Sequence, residues 1–80
     1  MYYTYVIKSI TSPHYYKGHC EDLEARLHQH NSGMTRSIKR FVPFEIVYFE
    51  VFEAREEAIS REKYLKSAAG RRFLRSKLGV

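Results

Sequence analysis

The stretch YYTYVIKSITSPHYYKGH, residues 2–19, decides the fold of this 80-residue chain. Its first part, Tyr2–Ser9, is rich in tyrosine, threonine, valine and isoleucine, which favour β-strands. Thr11-Ser12-Pro13 is a turn signal, because proline cannot donate a hydrogen bond to a strand ladder. His14–His19 then predicts a second strand. Together these segments predict an antiparallel β-hairpin.

A helix is predicted after the hairpin. Asp22 is a residue type that caps helices, and Leu23–His30 predicts the helix that it would cap. Asn31 or Gly33 suits the left-handed turn that ends such a helix. Met34–Val42 is basic and lacks apolar periodicity, so we expect a loop there.

The second half of the chain predicts one strand and two helices. Phe44–Phe52 is aromatic and β-branched on both faces, which is typical of a central strand covered on both sides. Ala54–Ser67 predicts a helix, Ala68-Ala69-Gly70 a break, and Arg71–Leu78 a short basic helix. The order β-β-α-β-α-α predicts a single α/β domain over residues 1–80, in which helices flank a three-stranded antiparallel sheet.

Positive charge is concentrated in two segments of a chain whose net charge is +5. Between Arg61 and Val80 Glu62 is the one acid among seven bases, and Asn31–Pro43 has three bases and no acid. Such segments favour an anionic partner, most often nucleic acid, although a charged face that only maintains solubility has the same composition. The bases expected to contact nucleic acid are Lys17, Arg36, Lys39, Arg40, Arg71, Arg72 and Arg75.

The single cysteine, Cys20, excludes an intramolecular disulfide and favours a reducing compartment, so we expect a cytoplasmic protein. Its neighbours Glu21 and Asp22 disfavour a thiolate, which argues against a cysteine nucleophile. The N-terminus has no signal-peptide pattern, and no apolar run approaches the ~20 residues of a membrane helix. We therefore expect no membrane association.

Two polar side chains border the apolar stripe of the first predicted helix. At about 100° per residue, Leu23 and Leu27 define the stripe, and His30 and Arg26 lie about 20° and 60° from Leu23. Arg26 and His30 are four residues apart, so they project together and could bind a phosphate. The alternative is an ordinary helix edge, with the arginine reaching solvent and the histidine satisfied in the core.

One acid, Glu62, falls on the apolar stripe of the next helix, about 40° from Ala58. A carboxylate on such a stripe is costly unless it is paired or binds a metal. A hard divalent cation would use it as an oxygen ligand and keep several waters for a substrate. The alternative is a buried ion pair with Arg26 or Lys66.

Tyr5 and Tyr16 join this group only if the hairpin register directs both towards Arg26, which counting from the turn makes plausible. Tyrosine is common in strands, so both could also simply pack.

Taken in order, these segments make the chain resemble the GIY-YIG nuclease superfamily, and most closely its small, single-domain bacterial members. The resemblance extends from about Tyr2 to Arg72. The matching segments are Tyr3-Thr4-Tyr5, Tyr16-Lys17-Gly18, Asp22–Leu27 with His30–Gly33, Phe44–Tyr48, Glu56-Glu57-Ala58 and Arg61-Glu62.

The resemblance implies a divalent-metal-dependent endonuclease. Tyr5 and Tyr16 would contact the attacking water and the scissile phosphate, one of them as general base. Arg26 would neutralise charge in the transition state. His30 would position or deprotonate the nucleophile. Glu62 would hold a single Mg²⁺ or Mn²⁺.

Four positions differ from the family pattern or vary within it. Tyr3 and Thr4 replace the glycine and isoleucine of the first motif, and Lys17 replaces an apolar residue of the second. Lys17 would alter the strand if it entered the core, or lower a tyrosine pKa if it reached the site. His19 stands where some relatives carry lysine, and it would assist near Tyr16.

The expected substrate is DNA more than RNA, cut with structure selectivity or weak specificity during repair or processing, with a protein partner as a possible source of specificity. A second hypothesis is a non-catalytic module that binds nucleic acid through its two basic segments. A third is a subunit whose apolar surface docks on a repair protein.

Overall fold

The computed structural model describes all residues from Met1 to Val80, and it confirms the α/β fold with a three-stranded antiparallel sheet. The predicted order of strands and helices is also present, with one short helix added. The elements are β1 (Tyr2–Ser9), β2 (Tyr15–Cys20), α1 (Leu23–Asn31), a 3₁₀ helix (Arg36–Phe41), β3 (Phe44–Phe52), α2 (Arg55–Lys66) and α3 (Ala68–Leu78).

The sheet has the order β2-β1-β3, with both pairs antiparallel. The central strand is therefore β1, and the prediction that Phe44–Phe52 is a central strand was wrong. That segment is apolar on both faces because helices cover both faces of the sheet. Ile46 packs against the α1 side and Val47 against the other. Near its outer end, Phe49 and Val51 are exposed, as suits an edge strand.

Alternate residues of the central strand belong to separate cores. Tyr5 and Ile7 pack beneath α1 and the 3₁₀ helix, whereas Val6 packs beneath α2 and α3 with Leu65 and Leu74. This follows from the two-residue period of a strand. Along β1 and β2, successive residues therefore face the two helical layers in alternation.

The segment predicted to be a loop, Met34–Val42, contains the 3₁₀ helix. Ile38, which is 3% exposed, fixes this helix to the core on the α1 side. A helix is recognised in a sequence by apolar residues that recur at a regular spacing. This segment has only one buried apolar residue among basic ones, so it shows no such spacing.

The break predicted at Ala68-Ala69-Gly70 was also wrong, because α3 begins at Ala68. The Ser67 hydroxyl accepts a hydrogen bond from the backbone N–H of Gly70 at 3.2 Å and so caps the helix. Gly70 is buried, and a Cβ there would overlap the carbonyl oxygen of Tyr64. The glycine therefore allows α3 to approach α2 closely. None of the helices is both long enough and apolar enough to span a bilayer.

Candidate active site at the edge of the sheet

A cleft of about 540 Å³ follows the outer edge of β2. Because β2 is an edge strand, side chains from both of its faces reach the cleft, and α1 and α2 approach it from opposite sides. Of the six residues predicted for catalysis and metal binding, five line the cleft, and His30 lies behind them against Tyr5. The five are Tyr5, Tyr16, His19, Arg26 and Glu62.

Tyr5, His30 and Thr35 form a hydrogen-bonded chain on the α1 side of β2. The Tyr5 hydroxyl is 2.8 Å from His30 Nε2, and His30 Nδ1 is 2.6 Å from the Thr35 hydroxyl. Tyr5 and His30 are each 2% exposed. No sequence pattern indicated Thr35, which lies just before the 3₁₀ helix in the segment predicted to be a loop.

Burial keeps the hydrogen-bonded side chains of Tyr5 and His30 neutral. It lowers the pKa of His30, and the nearby Arg26 guanidinium lowers it further. Burial also raises the pKa of Tyr5, as does Tyr16, while Arg26 opposes the rise. The phenol is thus protonated and donates to His30 Nε2, which leaves the Nδ1–H to donate to Thr35. His30 Nε2 therefore faces the Tyr5 hydroxyl as an unprotonated hydrogen-bond acceptor.

Gly18 provides the space that Tyr5 occupies. In the antiparallel register Tyr5 lies opposite Gly18, and a Cβ on Gly18 would be 2.5 Å from the Tyr5 hydroxyl oxygen. Tyr16 lies opposite Ile7 and is therefore diagonal to Tyr5 on the same face. Its ring meets the His30 ring edge-on, with 5.1 Å between the centroids. The hairpin register thus brings both tyrosines to one site.

Glu62 lies on the α2 side of β2 between two nitrogen donors. Its Oε1 is 2.6 Å from His19 Nδ1, and its Oε2 is 2.7 Å from Lys66 Nζ. Burial alone would raise the pKa of Glu62, but hydrogen bonds from Lys66 and His19 outweigh burial and bring the pKa below its usual range. The carboxylate is therefore ionised, and the Lys66 pair considered from the sequence is present.

Arg26, the other partner considered for an ion pair with Glu62, does not pair with it. Instead, Arg26 Nη1 donates to the carbonyl oxygen of His19 at 3.4 Å. This contact places the guanidinium at the edge of the cleft, and Arg26 is only half-buried. It is therefore accessible to an anion bound in the cleft.

The donor set at Glu62 fits a cation that takes few ligands from the protein. The chain has no cluster of three histidine, cysteine or acidic side chains placed to hold a metal ion. A single ionised carboxylate is instead a suitable ligand for Mg²⁺ or Mn²⁺, which bind one or two carboxylates and fill the remaining positions with waters and phosphate oxygens. The Lys66 side chain is 55% exposed and can move aside.

Two further residues of the cleft bear on its chemistry. Arg55 lines it although the sequence analysis gave it no role. Its spacing of seven residues from Glu62 puts both on one face of α2, which was a usable signal. Cys20 also lines the cleft, but it is only 5% exposed and burial raises its pKa. Cys20 is therefore unsuited to act as a nucleophile.

The two basic segments lie on opposite layers of the fold. Lys17 faces the α2 and α3 layer, since it pairs with Val6 in β1. Arg36 and the other bases of the 3₁₀ helix lie on the α1 layer. Every arginine and lysine of the predicted nucleic-acid-binding group is exposed except Lys17, which is partly buried.

Comparison with known proteins identifies relatives. A UPF0213 protein of Haloquadratum walsbyi is 34% identical over 67 residues, which are 82% of this chain and 74% of the relative. One from Clostridium perfringens is 40% identical over 67 residues, covering 82% and 71% of the two chains. One from Staphylococcus saprophyticus is 31% identical over 75 residues, covering 92% and 90%. No solved structure matches the chain.

The family comparison agrees with the fold. Residues 1–75 match the model of the GIY-YIG catalytic domain. The matched residues include every strand, α1, α2 and most of α3. This match implies a nuclease-type function with nucleic acid as the substrate. The chain belongs to the GIY-YIG family.

Proposed function

We propose that this protein is a divalent-metal-dependent endonuclease that hydrolyses phosphodiester bonds of DNA. The observation that carries the proposal is the meeting of Tyr16, Arg26 and Glu62, from three different elements, in one cleft. A phenol, a guanidinium and an ionised carboxylate are suited to orienting a phosphate, neutralising its developing charge and holding a cation.

The residues of the α1 side would handle the proton. The Tyr5 oxygen would accept a proton from the attacking water while the Tyr5 hydroxyl proton passes to His30 Nε2. The short Tyr5–His30 contact and the lowered pKa of His30, which keeps its imidazole neutral, support this assignment. Thr35 would hold the imidazole in the required orientation through Nδ1.

The residues at the cleft edge would bind the phosphate. Arg26 would donate to its non-bridging oxygens, and Tyr16 would hold it from the strand side. Glu62 would hold Mg²⁺ or Mn²⁺, which when bound supplies positive charge at the phosphate. His19 would orient the Glu62 carboxylate through its 2.6 Å hydrogen bond, as outer partners of metal ligands commonly do.

The expected substrates are DNA structures rather than particular sequences. The cleft contains charged and aromatic groups suited to a sugar–phosphate backbone. We accordingly propose cleavage of branched, nicked or single-stranded DNA in repair or processing, with a protein partner supplying further selectivity. A cytoplasmic location is supported by the single buried cysteine.

The test is a cleavage assay on branched, nicked, single-stranded and supercoiled DNA with Mg²⁺, Mn²⁺ or a chelator. Wild type should cut only with a metal ion, and Arg26→Ala should lower the rate by about 10²–10³-fold. Glu62→Gln should lose cleavage to a similar degree. The matched control is Glu56→Gln, which removes an exposed acid from the same helix and should cut normally.

Persistent DNA binding without cleavage by wild type in either metal would contradict the proposal. That result would favour the non-catalytic module, in which basic side chains contact phosphates without turnover. RNA is included in the panel as a matched strand, because preferential RNA cleavage would contradict the DNA assignment alone.

A further inference from the structure

A second groove, of about 170 Å³, lies between β2 and α3 on the layer opposite α1. It is reached from the same edge of β2 as the catalytic cleft. Its polar side chains are Lys17, Arg71 and Arg75, and its apolar side chains include Tyr15, Leu74 and Leu78. None of these residues takes part in the chemistry proposed above.

The cations of this groove have no acidic partner. The three ion pairs of the protein join His19 and Lys66 to Glu62, and Arg61 to Glu50. Lys17, Arg71 and Arg75 are in none of them. A phosphate would therefore neutralise a real accumulation of positive charge.

Two observations indicate that these cations are close together and held in place. Burial lowers the pKa of Lys17, and Arg71 and Lys66 lower it further through repulsion. Arg71 Nη1 donates to the Lys66 carbonyl oxygen at 2.9 Å, which fixes the guanidinium while leaving it other donors. The site is thus partly organised before any anion arrives.

The floor of the groove is apolar. Leu74 is 5% exposed and belongs to the core of the α2 and α3 layer, and Tyr15 packs against that core. An aromatic ring beside basic side chains is the usual means of binding single-stranded nucleic acid, because the ring stacks on a base while the cations hold phosphate. At about 170 Å³ the groove is smaller than the pockets that enclose whole ligands, so it suits part of a single nucleotide rather than a larger ligand.

We propose that the groove between β2 and α3 binds one unpaired nucleotide of the substrate strand, with its phosphate on Lys17 and Arg71 and its base against Tyr15. This inference rests on the proposed function, since it concerns the strand that is cut. Lys17 and His19 are two residues apart on one face of β2, about 7 Å along the strand. A strand bound at Glu62 therefore continues directly into the groove.

The groove would make the protein prefer DNA of a particular structure. Both faces of a base inside a duplex are covered by its neighbours, so such a base must leave the helix before it can stack on Tyr15. The groove therefore selects DNA with an unpaired nucleotide beside the cleavage point, such as a flap or a single strand, over an intact duplex.

The test measures binding without metal, by fluorescence anisotropy of a labelled single strand and of a duplex of equal length. The double variant Lys17→Met/Arg71→Met should bind the single strand about tenfold more weakly or worse. The slope of its salt dependence should fall by the contribution of one phosphate, about 0.7. Tyr15→Leu should weaken single-strand binding about five- to hundredfold while leaving the salt dependence unchanged.

The matched control is Lys63→Met/Lys77→Met, which removes two exposed charges from outside the groove. Equal weakening by the control pair would overturn the proposal, because it would show that net charge alone governs binding. So would equal losses for single strand and duplex. Circular dichroism verifies that each variant is folded.

The outcomes separate this inference from the proposed nuclease activity. Binding lost in the groove variants but no cleavage by wild type would support the groove and contradict the nuclease. Metal-dependent cleavage by wild type, with groove variants that bind and cut flaps as wild type does, would support the nuclease and overturn the groove.

Discussion

The two faces of β2 support opposite kinds of chemistry within one cleft. On the α1 face, Tyr5 and His30 are almost fully buried, neutral and linked by hydrogen bonds. On the α2 face, Glu62 is 18% exposed, ionised and held by His19 and Lys66. Proton transfer is favoured by burial that keeps an imidazole neutral, whereas binding of cations and phosphates requires charge with access to solvent.

The alternation of a strand produces this separation. In the register of β1 and β2, Tyr5 lies opposite Gly18, and the preceding residue Thr4 lies opposite His19. Adjacent residue pairs thus point to different helical layers. The paired strands β1 and β2 can therefore place a buried, neutral hydrogen-bonded pair on one face and an open ionic site on the other, at neighbouring residue pairs.

The largest effect on this comparison is expected from Gly18→Ala. The new Cβ would lie 2.5 Å from the Tyr5 hydroxyl oxygen, so the ring must move and the contact with His30 is lost. We expect the cleavage rate to fall by about 10²-fold or more, and the free energy of unfolding by about 1–3 kcal/mol. Rates are measured in the nuclease assay, and stability by urea denaturation.

The control for Gly18→Ala is a measurement of metal binding on the opposite face of β2. Binding of Mn²⁺, measured directly by calorimetry, should remain close to that of wild type, because Glu62 lies in the other layer. A variant that lost metal affinity and cleavage together would show that the two faces are not independent.

A smaller effect is expected from Thr35→Ala. This change removes the oxygen that partners His30 Nδ1 and leaves a polar atom of a buried ring without its hydrogen bond. The free energy of unfolding should fall by about 1–3 kcal/mol, with a modest fall in cleavage rate. Thr35→Ser retains the hydroxyl and is the matched control, so a loss of the same size in Thr35→Ser would contradict the role assigned to the oxygen.

Much of this fold could be predicted from the sequence because its signals are local. Tyr2–Ser9 and Phe44–Phe52 were predicted as strands with the bounds that the structure has, since composition and flanking turns fix them. The place of β3 at the edge could not be read from its composition. A strand covered by helices on both faces is apolar on both faces whether it is central or at an edge.

The site was predictable where helix geometry determines it. Arg26 and His30 lie four residues apart on one helix, and Glu62 interrupts an apolar stripe, so each was visible from periodicity. Thr35 and the groove at Tyr15 were not visible, because they depend on contacts between segments. The same holds for Gly70, whose role in the close approach of α2 and α3 was mistaken for a helix break.

The smallest expected effect is on stability as a function of pH, and it is seen only when the protein is acidified. Burial lowers the pKa of His30 below its usual value of 6.5, so the unfolded chain binds a proton at this residue before the folded protein does. The stability that His30 contributes is therefore complete above pH 6.5 and is lost as the pH falls through the lower pKa of the folded state. Glu62 behaves in the same direction, but its loss begins only below its usual value of 4.5.

The two faces of β2 should therefore lose stability in separate pH windows. Urea denaturation from pH 7 to pH 3 would measure this, with His30→Gln abolishing the decline in the first window. His28→Gln, which replaces an exposed histidine of the same helix, is the control. In parallel, NMR titration of wild type should show the His30 imidazole protonating below pH 6.5. A His30 resonance that titrated at or above 6.5 would contradict the neutral proton acceptor on which the comparison depends.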